Sequence, residues 1–294
     1  MVMGYDYLYS LVLLVLLGFV VVTYSIRLLL RGRAQFDRVN RQGSSVLLGK
    51  GLMEMAYWSL QPIARGLVLA RVTPNMLSWA SLVLGGCSGV AIAYGHFGFA
   101  ALSATISAFL DSLDGIVARM TSVASDAGEV LDAAIDRYVE FFFLGGLVLY
   151  YREIPLLQIV ALLALAGSFM ISYSTAKAEA LHVPPPPGIM RRPERALYLI
   201  IGAALSPIPM PVVEAKFMFA TPIALPMAIA MTMIAVLSNI TAVERLYTIG
   251  REVRHRELAA LEAQEREPSE TEETPNHSLL QNPESFGLSP HGEI

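Results

Sequence analysis

Residues 111–136 read DSLDGIVARMTSVASDAGEVLDAAID, and they set four aspartates, Asp111, Asp114, Asp132 and Asp136, in or beside segments otherwise apolar enough to cross a membrane. Side chains three or four residues apart share one face of a helix. Asp111 with Asp114, and Asp132 with Asp136, therefore make two one-sided pairs at the same ends of consecutive antiparallel helices. Four carboxylates gathered there without a cation would repel one another and carry desolvation costs of roughly several kcal/mol each. Two hard divalent cations, Mg²⁺ or Mn²⁺, relieve this, because they take oxygen ligands and need neither Cys nor His.

Around that stretch, 54% of the 294 residues are hydrophobic and only 16% charged. Several uncharged runs approach or exceed the roughly 20 residues a helix needs to span a bilayer. The expectation is an all-α integral membrane protein with no nucleic-acid partner. A first span at 7–26 reads as a retained anchor, since no basic region precedes it and no small-residue cleavage site follows. The uncharged run 72–110 is too long for one crossing, and the glycines of YGHFG (Tyr94–Gly98) break it into helices near 74–94 and 98–120. Further spans are expected at 128–151, 154–176, 196–213 and 217–243. The whole is a six-helix transmembrane core plus one extra N-terminal transmembrane helix.

Between anchor and core, Leu52, Ala56, Leu60, Ile63 and Leu67 recur at helical spacing with Lys50, Glu54, Gln61 and Arg65 interleaved, as in an amphipathic helix lying in the interface. The boundaries that follow are 1–43 for the anchor and a basic linker, 44–71 for the interfacial helix, 72–249 for the core and 250–294 for a charged, disordered tail. Gly85 and Gly89 form a G-x-x-x-G that suits close helix packing. Cys87, the single cysteine, reads as a buried structural thiol, and Trp58 and Trp79 as interfacial aromatics. Basic residues set the orientation: with the N-terminus outside, only Arg152 and Lys216 fall in outer loops, and the aspartates face the cytoplasm.

The spacing inside the quoted stretch adds chemistry. Gly115 after Asp114 leaves backbone room for a ligand, Ala118 keeps the same face small, and Arg119 beside a metal site suits a phosphate or diphosphate. Gly128, Asp132 and Asp136 continue as a glycine-then-acid stripe at i, i+4 and i+8. The complete string, D-x2-D-G-x2-A-R-x8-G-x3-D-x3-D from Asp111 to Asp136, closely resembles the signature of the CDP-alcohol phosphotransferases. These are membrane enzymes that join a CDP-activated lipid or alcohol to an acceptor hydroxyl and release CMP. The likeness covers roughly 72–249, including Thr73-Pro74-Asn75 at the start of the first core helix.

The resemblance implies that Asp111, Asp114, Asp132 and Asp136 hold two divalent metals, with Asp136 also taking the proton of the attacking hydroxyl. Gly115, Ala118, Arg119, Gly128 and Asn75 would serve the cytidine diphosphate. It further implies a homodimer, with CDP-diacylglycerol as donor. In AKAEALHVPPPPGIMRRPERALYL (176–199), Lys177, Arg191, Arg192 and Arg195 gather near the aspartates and suit a phosphate on the acceptor. That string is similar to the corresponding stretch of phosphatidylinositol-phosphate synthases. It departs at Thr175, where a second basic residue is expected, and at Arg191, where an acid is usual. Inositol phosphate, glycerol 3-phosphate, serine and another polyol all stay open as acceptors. A prenyltransferase would space its aspartates farther apart and lack the D-G-x2-A-R core. A cation transporter would carry its acids near the midplane, often in repeated halves.

Overall fold

A computed structural model describes residues 2–32, 50–184, 186, 188–208 and 223–266. Among these, eight α-helices and no strand are present: α1 (Val2–Arg31), α2 (Lys50–Leu69), α3 (Pro74–Ala93), α4 (Phe97–Met120), α5 (Asp126–Tyr150), α6 (Pro155–Ala180), α7 (Arg192–Leu205) and α8 (Leu225–Arg266). Five, α1, α3, α4, α6 and α8, are long and apolar enough to cross a membrane. α5 is long enough but carries the charge of the aspartate stretch. The expected turn at 94–98 is present, with Gly95 at a positive φ of 81° between α3 and α4.

α3, α4 and α5 form the centre of the bundle. The G-x-x-x-G face of α3 lies on α5: Gly85 meets Val139, and any side chain at Gly89 would overlap the backbone carbonyl of Phe142. Removing the side chains lets the two backbones close up, which is how membrane helices gain dispersion energy without a hydrophobic drive. One apolar cluster joins α4, α5, α6, α7 and α8 through Ala100, Leu144, Ala164, Ala203 and Ile234. A second, smaller one seats α2 on the core, with Leu60 and Ala64 against Leu77, Leu113 and Val117.

α1 is tied to the core at both ends. Near its start, Asp6 Oδ1 accepts the backbone N–H of Phe99 at 3.0 Å, satisfying a donor in the first turn of α4. Gly98 admits the Asp6 carbonyl where a Cβ would not fit. Near its other end, the Tyr24 hydroxyl donates to Glu54 Oε2 on α2 at 3.3 Å, and the Arg27 guanidinium lies 5.7 Å over the Trp58 ring. α1 and α4 thus run in the same direction, and the start of α1 stands at the opposite end of the bundle from the aspartates.

Several expectations are corrected. Glu54 is buried under α1 rather than facing water, because the Tyr24 hydroxyl gives it a partner. Ile63 points outward, and Ala64 takes the inward place beside Leu60. Cys87 is exposed on the outer side of α3, since the inward stripe is given to Gly85, Ser88 and Gly89. Trp58 packs between α1 and α2, against Tyr24, and Trp79 is exposed on α3. Of the span expected at 196–213, the described part is helical from Arg192 to Leu205. Residues 209–213 and the first part of the 217–243 span lie outside the described residues, as do 33–49 and Lys216.

The chain divides into two compact units, 1–250 and 251–294. In the second, the described residues 251–266 are helical where a disordered tail was expected. Glu and Ala have high intrinsic helix propensity, and Arg256 pairs with Glu252 one turn back at 3.2 Å.

Candidate active site

The aspartate stretch folds as a helical hairpin. α4 stops at Thr121, Ser122 takes a positive φ of 56°, and α5 begins after Ser125, whose Oγ accepts the N–H of Gly128 at 3.2 Å. Asp126 and Glu129 in the first turn of α5 face the positive end of its dipole. The short link brings the last turns of α4 back against the first turns of α5. One carboxylate oxygen from each of Asp111, Asp114 and Asp132 lies within 4.8 Å of the other two. Three of the four predicted ligands are therefore brought together as an all-oxygen donor set, the kind a hard divalent cation requires.

Asp114 is buried, and its Oδ2 accepts the hydroxyl hydrogen of Ser78 on α3 at 2.5 Å. Sequence reading missed Ser78. Its signal was position, one turn beyond Thr73-Pro74-Asn75 on the first core helix, but hydroxyls are common on membrane helices. Asp136, the fourth predicted ligand, is buried one turn along α5 and pairs with Arg192. The same guanidinium spans Asp111, with Nη1 3.0 Å from Oδ2 and Nη2 3.2 Å from Oδ1. Arg192 thus joins the two aspartate pairs across the hairpin. It was expected at an acceptor phosphate, and it stands at the lip of the carboxylate cluster itself.

The other basic residues separate. Arg195 is about 1% exposed and committed to Glu140 through a two-pronged pair, Nε to Oε1 at 2.6 Å and Nη2 to Oε2 at 3.0 Å. Its Nη1 donates to the Met190 carbonyl at 2.9 Å. Arg195, expected at an acceptor phosphate, is held against Glu140 and the Met190 carbonyl, which joins α7 to α5. Arg137 donates to the Ala133 carbonyl at 2.7 Å. Arg191 donates its backbone N–H to the Glu194 carboxylate, a contact that fixes the start of α7. Lys177 is exposed in the last turn of α6.

Arg245 on α8 is a further residue that sequence reading used only for topology. It is buried, and its Nη1 donates to Thr175 Oγ1 at 3.0 Å. Thr175 is the position where a basic side chain was expected, so a guanidinium from another helix stands at that place. Of the residues expected at the nucleotide, Gly115 and Ala118 lie half-buried on α4 between the aspartates and Arg119, and Gly128 doubles as part of the Ser125 cap. Asn75 is exposed in the first turn of α3, and Arg119 is exposed near the end of α4.

Residues 71–244 match the CDP-alcohol phosphatidyltransferase family. The phosphatidylinositol phosphate synthase of Mycobacterium marinum is 36% identical over 196 residues, which cover 64% of this chain and 78% of that protein. Among solved structures, the Mycobacterium tuberculosis phosphatidylinositol phosphate synthase with CDP-DAG bound superposes with a TM-score of 0.56 at 29% identity, over 65% of this chain and 92% of that one. The same enzyme in complex with manganese and citrate gives a TM-score of 0.57 at 29% identity, over 65% of this chain and 88% of that one. With the full aspartate signature on one helical hairpin and more than half of its length matched, the chain belongs to the CDP-alcohol phosphatidyltransferase family of membrane enzymes.

Proposed function

We propose that this enzyme transfers the phosphatidyl group of CDP-diacylglycerol to a phosphorylated polyol, inositol phosphate before others, and releases CMP. The observation that carries the reading is the position of Arg192, in contact with both Asp111 and Asp136. A phosphate held by that guanidinium brings the rest of its acceptor against the Asp136 carboxylate. The names of the relatives above favour inositol phosphate as that acceptor.

Asp111, Asp114, Asp132 and Asp136 would hold two divalent cations, which when bound neutralise charge on the donor diphosphate and on the departing CMP. Asp136 takes the proton of the acceptor hydroxyl. That oxygen forms a bond to the lipid-bearing phosphorus, the bond from this phosphorus to the bridging oxygen breaks, and CMP leaves with the electron pair. Gly115 and Ala118 leave room for the nucleotide beside the aspartates, with Arg119, Gly128 and Asn75 at its edges. Arg192, Arg191, Lys177 and Arg245 supply positive charge toward the acceptor phosphate, Arg245 standing where Thr175 brings none.

Residues 72–249 serve as the catalytic core, and α2 as a helix at the membrane surface. The basic residues at the aspartate end favour a cytoplasmic active site, with the N-terminus outside. A homodimer is inferred from the family resemblance.

The test is CMP release by purified full-length protein given CDP-diacylglycerol, Mg²⁺ or Mn²⁺, and inositol 1-phosphate, glycerol 3-phosphate, serine or free inositol in turn. Metal-dependent release with inositol 1-phosphate, abolished by Asp136→Asn, is the expected result. Release driven best by an unphosphorylated acceptor would sink the acceptor assignment, and release insensitive to Asp136→Asn the assigned base.

A further inference from the structure

Thr175 stands where a basic side chain was expected, and its hydroxyl is committed in both directions. It donates to the Ile171 carbonyl one turn back on α6 at 3.2 Å. Its oxygen is thereby left to accept, and it accepts Arg245 Nη1 at 3.0 Å. A guanidinium has donors only, so the pair fits in one sense and no other.

The surroundings hold that guanidinium from other sides. Gly188, in the link between α6 and α7, lies so close that a Cβ there would stand 2.7 Å from both Nε and Nη2 of Arg245. Glu194, about 1% exposed in the first turn of α7, offsets the charge of Arg245, while Arg191 and Arg195 oppose it. The helices beneath are pinned as well. Asn239, ~9 Å earlier on α8 at 1.5 Å per residue, donates to the Leu163 carbonyl of α6 at 2.8 Å. Gly167 admits the Asn239 amide, since a Cβ there would come within 2.7 Å of Nδ2. The height at which Arg245 meets Thr175 is therefore set by a contact between the two helices.

Arg245 is 8% exposed, and its Nε has no hydrogen-bond partner among the described residues. A buried cation with a donor to spare, opposed by two like charges, is relieved by an anion. Resting on the acceptor site proposed above, we infer that Thr175 is a positioning residue of that site, whose hydroxyl holds the Arg245 guanidinium in place for the acceptor phosphate. The cation comes from α8, and α6 supplies the oxygen that orients it. With Nη1 taken by Thr175 and Gly188 against the other edge, the planar fork is set before the phosphate arrives and loses little freedom on binding it. A lysine or arginine at 175 would instead set a like charge against Arg245, so the threonine and the buried arginine belong together.

The experiment measures CMP release by full-length protein at saturating CDP-diacylglycerol with inositol 1-phosphate varied. It compares wild type, Thr175→Val, Thr175→Ser, Arg245→Ala and the double variant Thr175→Val with Arg245→Ala. Valine keeps the shape of threonine and loses the hydroxyl. Thr175→Val is expected to raise KM for the acceptor about fivefold, with kcat unchanged, as the loss of one bond to a charged group requires. Thr175→Ser should stay near wild type, and Thr175→Val should add nothing once Arg245 is gone. An unchanged KM in Thr175→Val, a loss in kcat alone, or an equal rise in KM with Arg245 absent would overturn the positioning role.

A second arm is independent of catalysis. Inorganic phosphate is expected to raise the melting temperature of wild-type protein, and that rise should shrink at least about twofold in Thr175→Val and return in Thr175→Ser. An equal rise in Thr175→Val counts against the inference. Release with unphosphorylated acceptors alone would defeat the proposed function, and the phosphate shifts would then decide the role of Thr175. Wild-type protein that neither releases CMP with inositol 1-phosphate nor is stabilised by phosphate would defeat both.

Discussion

Ser78 on α3 donates its hydroxyl hydrogen to Asp114 Oδ2 at 2.5 Å, so the first core helix holds one aspartate of a hairpin to which it does not itself belong. Both residues are about 5% exposed. A partner behind a metal-ligating carboxylate fixes its rotamer, and losing such a partner costs about 10–100-fold in metal affinity or activity. Ser78→Ala is therefore expected to raise the Mn²⁺ concentration for half-maximal CMP release by at least about tenfold, with the rate largely restored at saturating metal. An unchanged metal requirement would make the bond a matter of packing alone.

Arg195 and Glu140 form a buried pair between α7 and α5. Removing one partner strands the other charge, which costs about 3–5 kcal/mol, whereas replacing both with apolar groups is often neutral. Glu140→Gln and Arg195→Met should each lower the melting temperature in detergent by several degrees, while Glu140→Leu with Arg195→Met should recover most of the loss. If Arg195→Met left the melting temperature intact and raised KM for the acceptor, its assignment as a lock between α5 and α7 would fail.

Arg192 and Arg245 have the opposite signature. Each should, as the Ala variant, raise KM for inositol 1-phosphate at least about tenfold, as the loss of a charge-assisted bond worth ~1.5–3 kcal/mol requires. Arg192→Ala should also lower kcat, because Arg192 touches Asp136, while Arg245→Ala should spare it. Steady-state kinetics at saturating donor separate the two, and a kcat loss without a KM change in Arg245→Ala would remove it from the acceptor site.

The aspartate hairpin was legible because its spacing is local. Positions three and four apart must share a helix face, and a five-residue link from 121 to 125 leaves α5 nowhere to go but back along α4. The break between α3 and α4 followed from the glycines at 94–98, and the start of α3 from Thr73-Pro74-Asn75, for the same reason. Long-range partners were not legible. Ser78 with Asp114, Glu140 with Arg195 and Thr175 with Arg245 are separated by 36, 55 and 70 residues. Nothing in the chain marks which of several arginines on one membrane side turns inward. Cys87 misled because an apolar run on a membrane helix is apolar toward lipid as well as toward the core.

Close approach at Gly89 makes a sharp mechanical prediction. A side chain there meets the Phe142 carbonyl, and α5 cannot give way without moving Asp132 and Asp136 on the same helix. Gly89→Val should cut activity at least about tenfold and destabilise the fold by the ~1–3 kcal/mol typical of overpacking. Gly86→Val on the same turn meets only the Phe142 ring at 3.8 Å, ordinary contact, and should stay within about 1 kcal/mol of the parent. Paired thermal melts and CMP-release assays check both, and equal effects at the two positions would argue against a tight α3–α5 contact.

Orientation can be tested through the ends of the bundle. Tyr5 is exposed near the start of α1, whose neighbour Asp6 meets the first turn of α4. Ala124 is exposed in the link between α4 and α5, next to the aspartates. These two positions are separated by the length of α4, ~36 Å for 24 residues, so the bilayer stands between them. In a Cys87→Ser background, Tyr5→Cys should react with a membrane-impermeant maleimide on intact cells, while Ala124→Cys should react only after permeabilisation. That result would place the aspartates on the cytoplasmic side, where a soluble phosphorylated acceptor can reach Arg192. The reverse pattern would move the active site outside and leave the excess of Arg and Lys at that end as an exception to the positive-inside rule.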